Sequence, residues 1–322
     1  MRDEGRGLAL GAAAFGIWGL FPLYWPLLEP ADATEILAHR VVWSVVFSVL
    51  LVGVMRRGQA LREIWRVRRV RLAMTGAGVV IGFNWFTYIW GVNNGHVVET
   101  SLGYYINPLV TVLLGVVVLG ERLRLWQWVA LAIASSAVLV LSVGLGRPPW
   151  ISLVLAFSFG TYGLLKKKAR VGPVEGLAYE GAVLLPVAVG YLGWLSYVGT
   201  ATGWSQGAGH VALLTTTGIV TVIPLLCFAA AANRISLSTI GLLQYIAPTL
   251  QFLLGVLVYE EDMPAERWVG FGLVWVALVI LTADSLATLR RYRRGARTPA
   301  PAGGRPTVAV PVAQRAGSDH DA

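Results

Sequence analysis

The chain has 322 residues, of which 56% are hydrophobic and only 13% charged. A soluble domain carries about 25% charged residues, so composition excludes an ordinary soluble protein. Lysine and arginine outnumber aspartate and glutamate by 26 to 17, but they are scattered over separate short loops and not gathered on one module, which argues against nucleic acid as a partner.

The apolar residues fall in runs of about 17–24, the length that crosses a hydrocarbon core of about 30 Å. Leu8 to Leu28 is the first predicted span, with Pro22 and Pro26 distorting its outer end. It is too long for the apolar region of a signal peptide, and no clear cleavage site follows it. After an acidic loop with Glu29 and Asp32, the second span runs from Ile36 to Val54 and carries His39 and Arg40. Met55 to Arg71 holds seven arginines; Leu61, Ile64 and Trp65 can share one helical face there, so the stretch reads either as an amphipathic surface helix or as a solvated basic loop. The third span is Leu72 to Val92, the fourth Val97 to Leu119 with Glu99 near its start, and the fifth Leu125 to Leu145. Gly146-Arg147-Pro148-Pro149 marks a junction. Trp150 to Leu165, Gly176 to Val198, His210 to Ala232, Ile235 to Val258 and Trp268 to Leu286 complete ten predicted spans. The lone Cys227 lies in an apolar run and reads as a small packing residue. Residues 290–322, basic and then rich in Pro, Gly and Ala, are expected to be a disordered tail.

Two stretches match at one constant offset. Tyr105, Pro108, Gly115 and Glu121 fall on Tyr245, Pro248, Gly255 and Glu261, and the match reaches back to Glu35 over Glu175. Such a register over roughly a hundred residues is an internal duplication, giving five-helix halves at 8–145 and 149–286. Nearly all lysines and arginines lie at the N-terminus, in the loops after spans two, four, six and eight, and in the tail, so both termini are expected on the cytoplasmic side. An odd number of spans per half inverts the second copy. Inverted repeats exchange the two membrane faces, which is the architecture of many alternating-access transporters.

The segments Gly16-Ile17-Trp18-Gly19-Leu20-Phe21-Pro22-Leu23-Tyr24, His39-Arg40-Val41-Val42-Trp43-Ser44, Asn84-Trp85, Ser101 through Leu109, and Gln244 through Pro248 resemble the RarD family of the drug/metabolite transporter superfamily, EamA-type. The resemblance extends to about Leu286. It implies an all-α integral membrane fold of ten helices in two inverted repeats and a permease function. It implies no cargo. The Lys166-Lys167-Lys168 run and the tail fall outside it.

Ionisable groups inside spans are costly and default to functional candidates. Arg40 and Glu99 lie at similar depth from the outer side, so a salt bridge between them is expected, either in the transport path or as a lock between two helices. His39 points about 100° away from Arg40, suiting a packing role or proton transfer. Glu35 and Glu175 are expected to be interfacial and solvated. Glu180 falls on Arg40 in the repeat and has no symmetry-provided cation. Lys166 or Lys167 could supply one, the acid could be protonated and serve proton coupling, or its side chain could simply reach the nearby cytoplasmic surface. Asn84, Trp85, Tyr88, Tyr104, Tyr105, Asn107, Gln244, Tyr245 and Gln251 fit a polar, aromatic path, with Pro108 and Pro248 interrupting backbone bonding nearby. Gly103, Gly115 and Gly255 are expected at close helix contacts.

The sequence therefore points to a secondary transporter, permease or exporter, of small organic solutes or metabolites in the plasma (inner) membrane, driven by an ion gradient. The alternatives are a channel-like pore or a membrane-embedded structural or regulatory protein. There is no nucleophile–base constellation, metal-ligand cluster or phosphate-binding loop, so an enzyme is not expected, and neither is a cofactor. Membrane lipid and a small-molecule substrate are the expected partners, with a homodimer allowed.

Overall fold

The computed structural model describes residues 2–295 apart from Glu121, Asn233 and Ser236, and among the described residues every regular element is helical. Residues up to Asp284 make one compact unit; those from Ser285 on make a second, whose described part is the end of the last helix.

The first span is bent. α1 (Arg2–Gly19) gives way to the short α2 (Phe21–Tyr24) and a 3-10 turn, Trp25–Leu28, with a 47° change of direction. Pro22 and Pro26 each remove a backbone donor in this segment, so a straight helix cannot continue through it. α3 (Ala33–Val54) starts at Asp32, whose carboxylate accepts the Glu35 N–H at 2.7 Å, a helix N-cap. The arginine-rich stretch is a helix: α4 (Gly58–Arg66) tucks Ile64 against Met74, Ala169 and Tyr179, with Leu61 beside it. Trp65 packs at 4.8 Å against Tyr179, the rings tilted by 58°, yet stays half-exposed. α5 (Arg68–Asn93), α6 (Val97–Leu119) and α7 (Leu125–Leu145) follow, α6 ending at Gly120 in the left-handed conformation.

The second part comprises α8 (Trp150–Ala169), α9 (Pro173–Val198), the one-turn α10 (Thr202–Ser205), α11 (Ala208–Ala232), α12 (Leu237–Leu243), α13 (Ile246–Leu257) and α14 (Ala265–Gly295). Two departures from expectation stand out. The predicted ninth span is not one helix: it breaks at Gln244–Tyr245. Pro248 has no N–H to offer the Gln244 carbonyl and its ring crowds that group. α6 nevertheless runs unbroken through the matching Pro108. At the other end, residues 290–295, expected in the disordered tail, still belong to α14; the rest of that tail, 296–322, lies outside the described residues, as does Glu121.

Among the described residues, seven helices are long and apolar enough to cross a membrane, or eight if the bent first pair counts as one. The protein is a multi-pass membrane protein. Its outward faces are apolar: Val117, Leu139, Val143, Val187 and Val279 are each mostly exposed. A water-facing surface of this kind would aggregate; facing lipid tails, it is at home.

Inside, α3 packs along α9, α6 and α5 along α8, and α11 along α3 and α1; α13 packs on α6 and α1, and α5 on α9. Small residues set the closest approaches. A Cβ at Gly218 of α11 would lie 2.5 Å from the Trp43 backbone of α3, and one at Gly78 of α5 would lie 3.2 Å from the Glu180 carbonyl oxygen of α9. Gly103 lies in the same way against Ser152 and Leu155, and Gly255 against Val98, as expected for glycines at helix contacts. Turns 29–32, 94–96, 146–149, 199–207 and 258–264 form one end of the bundle, the acidic end; the other, the basic end, carries α4 and the Lys166–Arg170 turn.

Candidate functional site

Arg40 is 4% exposed on α3, seven residues into the helix, which places it about 10 Å from that helix end. Its guanidinium carbon stands 4.0 Å from the centre of the Trp85 ring of α5, 5.1 Å from Trp25 and 5.9 Å from Phe21. Nε donates to Thr221 Oγ1 of α11 at 3.0 Å. Tyr24, Tyr88 and Tyr104 are within its electrostatic reach. Tyr88 and Tyr104 meet edge to face at 5.5 Å, and the Tyr24 hydroxyl bonds Thr216 at 2.8 Å. Cation–π contacts of this kind contribute about 0.5–2 kcal/mol each, well short of what a buried ion pair supplies electrostatically. No carboxylate among the described residues comes within ion-pair distance of Arg40, and no oxygen accepts from Nη1 or Nη2.

The expected Arg40–Glu99 bridge is therefore absent. Glu99, in the first turn of α6, is held by Arg147 Nη2 at 2.9 Å and by the Ile151 N–H at 3.2 Å. Its backbone carbonyl accepts from Ser152 Oγ at 2.5 Å. It ties α6 to the start of α8, and Arg147, which had been assigned only to the junction, is its cation. Depth along a helix brought Arg40 and Glu99 to one level; rotation about the axis turns them to different neighbours.

Glu180 does have a cation. Lys166 Nζ is 2.8 Å from its carboxylate and Tyr162 donates at 3.2 Å. Of the alternatives for this acid, the lysine partner is present, and the side chain is not at the surface but 1% exposed. Glu35 and Glu175, expected to be solvated, are both buried at 3% exposure. Glu35 accepts the Thr202 N–H at 2.9 Å, capping α10, and Glu175 pairs with Arg57 at 2.9 Å. The unforeseen α10 and the α3–α4 turn cover them.

The proposed aromatic path divides. Trp85, Tyr88 and Tyr104 gather round Arg40. Asn84 bridges α5 to α8, donating to the Leu155 carbonyl at 3.1 Å and to Ser158 at 2.9 Å. Tyr105 bonds Thr249 at 2.8 Å and packs on Phe271 and Trp275. Tyr245 packs against that same cluster, and Gln244 stands with it at the helix break. Asn107 Oδ1 and Gln251 Oε1 are buried without a partner, although Gln251 Nε2 donates to the Trp18 carbonyl at 3.1 Å. His39 lies by Gly203 at the acidic end, away from the Arg40 rings. Phe21, Trp25 and Thr221 were not singled out from the sequence; the dense aromatic spacing in Phe21-Pro22-Leu23-Tyr24-Trp25 was the available signal.

The acidic end is closed by a second acid. Glu261, in the α13–α14 connection, accepts the N–H groups of Val97 and Val98 at the start of α6. Tyr259 donates to the Pro22 carbonyl at 2.7 Å. Burial pushes the Glu261 carboxyl up to about 7, against the pull of the two N–H groups and Arg267, with Glu99 adding to the rise. Burial pushes His96 down. A cavity of about 20 Å3 between His96, Glu99, Glu261 and Arg267 has room for one water molecule or so.

The profile of the EamA-like transporter family matches residues 5–143. Protein RarD of Streptomyces exfoliatus is 57% identical over 93% of this chain and 95% of its own length. An uncharacterised transporter of Pseudomonas aeruginosa is 43% identical over 89% and 96%. A crystal structure at 19% identity superposes with a TM-score of 0.55, covering 89% of this chain and 98% of that one, a likeness of fold alone.

Proposed function

The chain belongs to the RarD family of EamA-like transporters, and from that premise we propose that it is a secondary transporter of small organic solutes working by alternating access. In this reading ten spans form inverted halves, 8–145 and 149–286, in the plasma membrane with both termini cytoplasmic. α8 is the sixth span, and α12 with α13 the ninth. The observation that carries it is the exchange of helix pairings. Swapping the halves turns α5 on α8 into α11 on α1, α6 on α8 into α13 on α1, and α5 on α9 into α11 on α3, while α3 on α9 and α13 on α6 map to themselves. Gly78 and Gly218, at the repeat offset, sit at matching contacts. A fold built this way has two related closures, one at each end.

The test locks one closure. Val98 and Gly255 face each other at the acidic end, so Val98→Cys with Gly255→Cys, made in a Cys227→Ala background, can form a disulfide there. Untargeted metabolomics of cells lacking the gene, restored with the open protein or with the locked pair, reads the effect. Solute pools that depend on the protein should revert to the deletion pattern when the pair is oxidised and recover on reduction. Equal restoration by locked and reduced protein would overturn alternating access. A reporter fused after Arg297 that is active only outside the cytoplasm would overturn the orientation.

A further inference from the structure

We propose that Arg40 is the binding site for the anionic group of the transported solute, and that the solute is a small organic carboxylate. The inference rests on the transport reading above and names the cargo class for it.

The argument starts from what surrounds the guanidinium. Arg40 is buried among Phe21, Trp25, Trp85 and the tyrosines at 4% exposure, with Thr221 as its one hydrogen-bond acceptor among the described residues. A cation removed from water is stable only with an anion, a metal-like cage of acceptors, or strong hydrogen bonds to its charge. Aromatic faces supply a fraction of that. Among the described residues the buried acids are committed elsewhere: Glu35 to Thr202, Glu99 to Arg147, Glu175 to Arg57, Glu180 to Lys166 and the half-buried Glu261 to the Val97 and Val98 N–H groups. Among the described residues, no carboxylate is left to pair with Arg40.

The neighbouring polar atoms are donors in want of an acceptor. The Tyr88 hydroxyl and Trp25 Nε1 are buried with no partner, and the Nη groups of Arg40 donate to nothing among the described residues. A set of N–H and O–H donors with an excess positive charge is the complement of an oxyanion. The planar fork of arginine matches a carboxylate with two parallel bonds, which a lysine cannot reproduce. The site is assembled from α2, the 3-10 turn, α3, α5, α6 and α11, so it lies among helices contributed by both halves, where inverted-repeat carriers hold their substrates.

The charge arithmetic of a cycle follows. With the anion bound, the buried site is neutral; empty, it carries one uncompensated charge. A loaded carrier then crosses between its two closures more readily than an empty one, which makes the protein an exchanger by preference.

The experiment measures binding on the purified full chain in detergent, so it does not depend on transport. Thermal unfolding is followed with benzoate, phenylacetate and succinate, with benzamide, phenylacetamide and benzylamine, and with inorganic phosphate. At least one carboxylate should raise Tm in a saturable way while its amide and the amine do not. Arg40→Gln should lose that response, and Arg40→Lys should weaken the affinity about tenfold or more. If Arg40→Gln does not fold, the carboxylate–amide contrast on the unaltered protein decides alone. No response to any carboxylate, an equal response to the amides, or a response to phosphate only would each overturn the proposal. Failure of the disulfide lock with a positive binding result would instead overturn alternating access and leave the anion site standing.

Discussion

Glu261 accepts the Val98 backbone N–H at 3.1 Å, so that an acid from the α13–α14 connection caps the first turn of α6. This one side chain joins two helices that are far apart in sequence and closes the acidic end of the bundle. The N-terminus of a helix favours negative charge, yet burial holds the carboxyl pKa up to about 7.

That shift has a definite sign. The folded-state value lies above the ordinary 4.5, so Glu261 contributes stability that is full below about pH 4.5 and lost as pH rises through about 7. Glu99, Arg267 and His96 lie around it. His96, with its value lowered, works in the opposite sense, and it does so in any Glu261 variant too. The difference in Tm between the native chain and Glu261→Gln should therefore change steadily between pH 5 and 8, with the native chain losing ground as pH rises. A difference independent of pH would show that Glu261 does not titrate in that range.

Glu99 should couple to Arg147 and not to Arg40. Arg147→Gln removes a half-exposed partner and should cost about 1 kcal/mol or less. Glu99→Gln also weakens the bond from Ile151 and should cost about 1–3 kcal/mol. In double-mutant cycles on unfolding, Glu99 with Arg147 should depart from additivity by about 0.5 kcal/mol or more, and Glu99 with Arg40 should be additive. The reverse pattern would restore the pairing that depth alone had suggested.

Lys166→Met should be among the most damaging single changes. It strands Glu180, which is 1% exposed, and breaking a buried pair from one side costs about 3–5 kcal/mol. Lys166→Met with Glu180→Leu should recover most of the loss, because both charges are then gone. We propose that Glu180 couples transport to protons, with Lys166 as the cation released when it is protonated. Glu180→Gln should keep exchange but lose accumulation driven by a pH gradient; unchanged uphill transport would remove Glu180 from the coupling.

Gly218→Ala should cost about 1–3 kcal/mol, since its Cβ would press on the Trp43 backbone, which cannot swing aside. Gly272→Ala, where nothing lies within 4 Å, should be neutral or stabilising by up to about 1 kcal/mol through helix propensity. Equal effects in a detergent unfolding series would mean that α11 is not seated on α3 as described.

Most of the helices were legible because lipid demands long uninterrupted apolar runs, and such runs announce their own ends. α4 was legible as one of two readings through the spacing of Leu61 and Ile64. The break at Gln244–Tyr245 was not, since Pro108 and Pro248 sit in nearly identical sequence and only the second interrupts its helix. The surroundings decide that, and periodicity carries no information about them. Arg40, Trp85, Tyr88 and Tyr104 could be named from polarity inside a span. Their mutual contact, and the role of Arg147 as partner to Glu99, depend on rotation about each helix axis, which the eye cannot fix from one chain. Glu35 and Glu175 were misplaced because the covering came from α10 and from the turn after α3, neither of them marked by hydropathy.

In the two proposed halves, an unbroken α6 faces a broken α12–α13, and this inequality has a kinetic meaning. Halves that shared one shape would make the two orientations of the carrier equal in energy. Here they differ, so in the proposed cycle the resting population favours one orientation and the half-saturation concentrations on the two faces are unequal. Detailed balance still ties the product of forward steps to that of the reverse steps. Asymmetry of form can make such a carrier quicker to load from one face, but it cannot by itself build a gradient, and net accumulation requires a second, coupled species.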